Sequence, residues 1–377
     1  MRRCWIVAIV CLGSPVLLAQ SDLRPQFHGF VTQSFLYSSS NNYLAMNTSS
    51  GSGAWTEAAL NANEQITDRL RIGAQVHATR LGEFGDYGVD WALIDYQAKP
   101  WLGLRGGKVK IRWGLFNDTQ DADPGYLWSL LPEPIYGIDW RATNLSQFGG
   151  EAYGRLRLPH HLGALDYSGY YGYYFEAAND GFVQDYKEQG IRFSGRPGGI
   201  TPGFDLRWQT PLKGVTAGGS LMMYDANGDL KNGGKFREPL TYWPTGYAQY
   251  DYKRFSASFQ YMKLVEYAGT TYLGAPEFIT SSDARAWFAM ASYRLTKKLQ
   301  AGAYYTRYKD ASGDGSDPEN YFRDWVVSGR YDINSYFYAK LEGHFIDGTG
   351  QGFYGFNNPD ALQPQSKLVV TKIGFSF

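Results

Sequence analysis

RLRIGAQVHATR, residues 69–80, alternates without a break. Leu70, Ile72, Ala74, Val76 and Ala78 share one face; Arg69, Arg71, Gly73, Gln75, His77 and Thr79 share the other. A period of two is that of an extended strand, and the repeats at three and four that a helix needs are absent. The same rule runs through Ser335 to Ile346, where Phe337, Ala339, Leu341, Gly343 and Phe345 oppose Tyr336, Tyr338, Lys340, Glu342 and His344. It also marks Arg285 to Leu295, Leu299 to Lys309 and the closing stretch KLVVTKIGFSF. Val89 to Trp101 is ambiguous: Val89, Trp91 and Leu93 compete with Ala92, Ile94 and Tyr96 for the apolar face.

The breaks between these segments alternate in length. Short polar turns are expected at Thr67-Asp68, Lys99-Pro100, Pro159 to Leu162, Pro211 to Lys213, Lys253-Arg254, Thr296 to Lys298 and Ile333-Asn334. Longer Gly-, Asn-, Asp- and Pro-rich stretches lie between them: Ser39 to Gly53, Leu81 to Asp86, Trp113 to Gln147, Ala177 to Pro202, Ala226 to Thr241, Tyr267 to Ala284, Ala311 to Glu319 and Asp347 to Gln365. Seven short and eight long connections imply sixteen strands with both termini on one side. Strands of ~10 residues, short turns at one end and long loops at the other describe a transmembrane antiparallel β-barrel. A soluble sandwich would instead bury its apolar stripe against a second sheet and needs no such asymmetry.

The start of the chain agrees with export. Arg2 and Arg3 precede an apolar run from Cys4 to Leu18, and Ala19 offers a small residue for cleavage. The run is shorter than the ~20 residues of a spanning helix, so residues 1–19 are expected to be a secretory signal and 20–377 a single barrel domain. Both cysteines, Cys4 and Cys11, fall in the signal, which leaves no disulfide or Cys-based metal site in the remainder. Losing Arg2 and Arg3 leaves 34 basic residues against 36 acidic ones, no basis for binding nucleic acid. Tyr, Phe and Trp make up 17% of the chain. Those near strand ends (Phe35, Tyr37, Tyr173, Phe175, Tyr242, Trp243, Tyr321, Trp325) suit aromatic girdles at the two membrane interfaces, besides ordinary β-propensity.

GGKVKIRWGLFNDTQD, residues 106–121, is similar to a stretch of the phosphate-selective and related substrate-specific porins of Gram-negative outer membranes. The matched residues are Gly107, Lys108 and Lys110, then Gly114, Leu115, Phe116, Asn117 and Asp118. The resemblance implies a third loop folded into the lumen, a homotrimer, and passage of small hydrophilic or anionic solutes. It also implies that the aromatic end, Phe375 and Phe377, is read by the barrel-assembly machinery, with both termini periplasmic.

In such a barrel the third loop, Trp113 to Gln147, would set the constriction. It carries Asp118, Asp121, Asp123, Glu133 and Asp139, with Arg141 as its cation. Trp128, Tyr136 and Trp140 could pin it to the wall or line a sugar-like track. Lys108, Lys110 and Arg112 alternate with Val109 and Ile111, and Arg155 and Arg157 with Leu156 and Leu158. With Arg69 and Arg71 they are expected to form an inward basic column that draws anions; the competing expectation is local pairing with Glu151, Asp166 or loop carboxylates. Basic wall against acidic loop would set a transverse field.

Signals for chemistry are sparse. The histidines His28, His77, His160, His161 and His344 show no metal spacing, and no nucleophile–base pair can be placed, so neither an enzyme nor a cofactor is expected. Asp310, Ser312 and Asp314 match the opening of a calcium loop, but Tyr321 occupies the closing acidic position. Turn chemistry is the default there; a divalent ion bridging to lipopolysaccharide is the functional alternative. The function expected is passive diffusion of small hydrophilic solutes with a lean toward anions. A barrel plugged by its own loops and a lipid-modifying barrel enzyme are the alternatives.

Overall fold

The computed structural model describes residues 24–271 and 278–377. The expected signal, residues 1–19, lies outside them, as do residues 272–277 of the sixth expected loop. The strands are β1 (Gln26–Ser38), β2 (Ser52–Thr67), β3 (Leu70–Leu81), β4 (Phe84–Lys99), β5 (Leu102–Lys110), β6 (Ser146–Arg157), β7 (Ala164–Phe175), β8 (Gly198–Ile200), β9 (Gly203–Gln209), β10 (Val215–Asp229), β11 (Lys235–Tyr252), β12 (Phe255–Thr271), β13 (Phe278–Arg294), β14 (Leu299–Asp310), β15 (Tyr321–Asp332), β16 (Phe337–Asp347) and β17 (Gln365–Ser376). Consecutive strands pair antiparallel, β8 with β9 excepted, and β1 pairs with both β2 and β17, which closes the sheet. β8 and β9 both lie between β7 and β10. They are one wall strand interrupted at Thr201-Pro202, where proline has no N–H to give to a ladder. The wall is therefore a closed sixteen-stranded barrel. Closure leaves neither terminal strand as an open edge, as a lipid environment requires.

All seven short turns fall where the sequence places them. The long connections are less regular. Leu81 to Asp86 is a tight Gly82-Glu83 turn, with Gly82 at φ +64° and no room for a Cβ against the Ala45 carbonyl. The expected loops Ala226 to Thr241 and Tyr267 to Ala284 are largely ladder, since β11 runs for 18 residues and β12 and β13 for 17 each. Above the apolar band outward side chains no longer need to be apolar, so the alternation fades although the hydrogen bonds continue.

The alternation itself is reproduced. Along β16 and β17, Leu341, Phe345, Val369 and Ile373 are exposed outward while Lys340, Glu342, His344, Leu368, Val370 and Lys372 are buried inward. Outward aromatics touch across β12–β15 as Phe259–Trp287–Tyr305–Trp325, and at the short-turn rim as Tyr336, Phe337, Phe375 and Phe377. Such an apolar surface is a lipid face. Trp243 is a correction: it points inward and is buried. Leu341 lies mid-strand and is 59% exposed. Leu341→Arg is expected to lower barrel stability in vesicles by about 2–4 kcal/mol, the cost of a cation near the bilayer midplane. Urea titration of the folded barrel reads this, and an unchanged midpoint would contradict a lipid face there.

The ambiguity in Val89 to Trp101 is resolved by a β-bulge. Val76 pairs with Val89 and Gln75 with Trp91, so Asp90 is the extra residue. Tyr87 and Val89 are exposed outward before it, Ile94 and Tyr96 after it, and Asp90 and Trp91 are both buried. Both readings of the sequence are right, on opposite sides of one inserted residue.

Candidate functional site

The third loop leaves the wall after Lys110 in β5 and returns at Ser146 in β6. It carries two single-turn helices, α1 (Glu133–Tyr136) and α2 (Arg141–Asn144). It crosses the barrel interior and is fastened to the far wall. The Trp113 indole donates to the Trp243 carbonyl at 2.9 Å, and the two rings lie 4.6 Å apart. Tyr136 Oη donates to Gln260 Oε1 at 2.6 Å and accepts from Leu115 N at 2.8 Å. Glu342 accepts the backbone N–H groups of Ser129 and Leu130, both at 2.9 Å. Trp128 packs edge-on against Tyr304 at 5.1 Å. These loop side chains join Met222, Tyr224, Tyr247, Met262 and Phe288 of the wall in one buried cluster. The loop thus fills the β7–β16 side of the lumen.

Asp123 lies on that buried side. Lys372 and Lys340 bring their ammonium groups to its Oδ1 at 2.8 and 3.0 Å, and Tyr338 Oη donates to it at 2.6 Å. Lys372 also reaches Glu57 at 3.2 Å and stands over the Trp55 ring at 3.8 Å. Glu133 and Asp139 are buried as well, with Tyr354 Oη donating to Asp139. Of the acids expected at the constriction, Glu133 is packed away from the passage, whereas Asp123 and Asp139, though buried, edge the narrow cavities beside Arg141.

The other face of the loop meets β3–β6. Lys110 pairs with Asp121 at 2.7 Å, and Gln75 donates to Asp121 and to Asp90, both at 2.8 Å. Arg141 pairs with Asp90 at 2.8 Å and His77 Nδ1 lies 2.9 Å from Asp90. Arg112 is 3.5 Å from Asp118. Nearer the short turns, Arg71 and Arg105 share Asp95, each at 3.1 Å, and Arg105 also pairs with Glu151 at 2.9 Å. Arg155 forks onto Asp166, Nη2 to Oδ2 at 2.8 Å, while Arg69 and Arg157 are exposed. The basic column is therefore mostly a set of ion pairs, the local pairing that competed with it. Lys108 departs further. The register sets it opposite Ala92 and Phe148, on the outward set, and its ammonium donates to the Val89 carbonyl.

Arg141 borders three cavities. One of about 320 Å³ holds His77, Asp86, Asp90 and Lys108. Two narrow ones of about 40 Å³ each lie inward, one beside Trp55, Glu57, Gln120 and Tyr126, the other beside Phe84, Ile138 and Asp139. Arg105, Asp95, Asp90, Gln75 and Lys372 were not singled out in the sequence. Alternation gives the inward side of Lys372 beside Ile373, whereas Asp90 is hidden by its bulge.

The long-loop mouth is packed too. Tyr43, Leu44 and Met46 of the first loop join Tyr354 of the last in a second buried cluster. Phe182 and Tyr186 on α3 (Gly181–Glu188) join Phe193, Leu230 and Phe236 in a third. Asp180 caps α3, accepting from Val183 N and Ala177 N at 3.1 Å. Burial raises its carboxyl to about 7 against the lowering effect of those N–H groups. A carboxyl raised in the folded state favours folding at low pH, and that advantage fades as pH climbs from its ordinary value through about 7. The fourth loop is therefore expected to be cut faster by a protease at pH 8 than at pH 5, relative to an unfolded control. Asp180→Asn should flatten that difference.

At the remaining expected sites, Asp310 accepts from Ser312 N at 2.8 Å and Asp314 from Ser316 N at 2.9 Å, two separate turns. No group of metal-ligating side chains converges among the described residues. Phe377 exchanges backbone hydrogen bonds with Gly29 at the closing seam, and its ring packs on the outward-facing Phe375.

No family model matches the chain, and no curated protein sequence matches it. Solved structures do resemble it. The outer membrane channel DcaP of Acinetobacter baumannii superposes with a TM-score of 0.57 at 9% identity, over 94% of this chain and 97% of that one. The anion-selective porin from Comamonas acidovorans gives 0.56 at 11%, over 94% and 100%. Salmonella typhi OmpF, in complex with daunomycin, gives 0.57 at 12%, over 94% and 97%. At such identities the likeness shows a shared porin-type barrel.

Proposed function

We propose that this barrel is an outer-membrane porin that passes small hydrophilic solutes by passive diffusion, both termini periplasmic. The observation that carries the reading is the third loop. It is fastened to the far side of the lumen and meets β3–β6 largely through polar and charged groups, with Leu130 and Ile138 packing toward Trp55, Leu81 and Phe84, and two narrow cavities adjoin at Arg141. Such a layout lets water and solute pass a fixed constriction. Paired charges on both sides of the passage make its field local rather than strongly selective. A lean toward anions rests on the short-turn rim, where Arg69, Arg157, Lys213, Lys253, Arg254 and Lys297 stand exposed. A homotrimer, lipopolysaccharide around the loops and insertion by the assembly machinery through Phe375 and Phe377 belong to the same reading.

Catalysis has little support. Both ring nitrogens of His344 face carboxylates, Asp324 at 2.6 Å and Glu342 at 3.1 Å, which leaves neither to activate a nucleophile.

The three buried clusters favour a second reading, a barrel sealed by its own loops. Liposome swelling separates the two. A porin admits a pentose faster than a disaccharide; a sealed barrel admits neither while still migrating as a heat-modifiable band.

A further inference from the structure

The wall has a gap that the diffusion pathway does not require. The β4–β5 ladder stops at Ala92–Lys108, yet β4 continues to Phe84 paired with β3 alone. The β5–β6 ladder ends at Lys110–Ser146. Beside the unpaired half of β4 lies the cavity of about 320 Å³. Its lining spans the thickness of the wall. Phe148 and Phe175 face outward, 54% and 46% exposed, whereas Asp90 and Tyr174 face inward and are buried.

The charges in this gap do not balance. Asp90 is committed to Arg141 and His77, and Asp86 lies 3.3 Å from His77 Nε2. Ser146 Oγ takes the Asp90 carbonyl at 2.6 Å, and Lys108 takes that of Val89. Arg196, reaching in from the fourth loop, donates to the carbonyls of Glu176 and Phe175. Among the described residues, Lys108 and Arg196 have backbone carbonyls as their hydrogen-bond acceptors and no carboxylate within ion-pair distance. A carbonyl satisfies a donor but carries no net charge. Two cations of this kind on one cavity, Lys108 half-buried and Arg196 open to solvent, with aromatic rings at the outer rim, make a positive cradle in which an anion would gain charge-assisted hydrogen bonds.

We infer that this gap binds one phosphate or carboxylate group, held between Lys108 and Arg196, with Phe148 and Phe175 covering its apolar remainder. The volume suits a headgroup or a small organic anion and is at the low end for ligand sites. The anion can come from two sources. An outer-leaflet lipid phosphate would enter from the outward face, as basic pockets between spanning elements hold anionic headgroups. A soluble anion would enter past Arg141, and only this source rests on the diffusion reading.

The test uses the full chain, extracted from outer membranes, beside Lys108→Gln/Arg196→Gln. Native mass spectrometry looks for a retained phosphate-bearing lipid. Calorimetric titration of delipidated protein with inorganic phosphate looks for soluble-anion binding. One lipid per chain that the double variant loses assigns the site to lipid. One phosphate per chain, bound about tenfold more weakly by the variant, assigns it to soluble anions. The same lipid content and the same phosphate heats in both proteins overturn the inference. Lys108→Arg should retain binding, and heat-modifiable migration confirms that each variant is folded. Neither readout uses conductance, so a sealed barrel would still show the site.

Discussion

Asp123→Ala is expected to unfasten the third loop and to produce the largest loss of stability of any single change in the lumen. The carboxylate holds Lys340 and Lys372, both fully buried, together with Tyr338. Removing it leaves two ammonium groups in the interior with only Glu57 and carbonyls for partners. Breaking a buried pair in this way costs about 3–5 kcal/mol. The loop segment that begins at Asp123 and runs through Trp128 to Leu130 would lose its grip on β16 and β17, although Glu342 still holds Ser129 and Leu130. The expected phenotype is a lower urea midpoint together with a larger and noisier single-channel current. Asp123→Asn keeps an acceptor while losing the charge and should fall between the two. Unchanged stability in Asp123→Ala would show that the loop is held by its apolar contacts alone.

The second large effect is expected at Arg141. Arg141 stands between the two narrow cavities of the passage and the cavity in the wall gap, and its guanidinium is tied to Asp90 at 2.8 Å. Arg141→Ala opens the junction and leaves Asp90 with His77 and Gln75. The local balance then turns negative by one charge. Unit charges ~4 Å apart in water-like surroundings interact by about 1 kcal/mol, which corresponds to about fivefold in partitioning. Conductance should rise, and the preference should move toward cations by a factor of that order. Arg141→Lys keeps the charge with a slimmer head and should raise conductance without reversing the preference.

How far the sequence reaches depends on the question. In-or-out assignment is local, so Leu341, Val369 and Ile373 could be placed outside from neighbours alone, and Thr67-Asp68 or Lys253-Arg254 could be read as turns. Sixteen wall strands follow from counting such breaks. Where an inserted residue shifts the pleat, as at Asp90, alternation gives two answers and neither is complete. The tall strands β11–β13 were cut short because alternation reports lipid contact rather than hydrogen bonding.

The site was harder, for a different reason. Which cation meets which acid depends on height and on strands far apart in the chain. Lys372 and Asp123 are 249 positions apart, and no spacing rule joins them. Arg155 with Asp166 was foreseeable because the two oppose each other across one hairpin. The third loop was legible as a long, aromatic insertion. Its choice of side was not, since that rests on the Trp113–Trp243 and Tyr136–Gln260 contacts across the barrel.

The most direct test of the account is a planar-bilayer recording of the purified chain and Arg141→Ala across a salt gradient. Small stepwise currents and a slight anion preference are expected of the natural chain. Larger steps and a reversal potential displaced toward cations are expected of the variant. Folded protein that yields no current, or a variant whose steps and reversal potential match the natural chain, would contradict a diffusion channel that runs past Arg141.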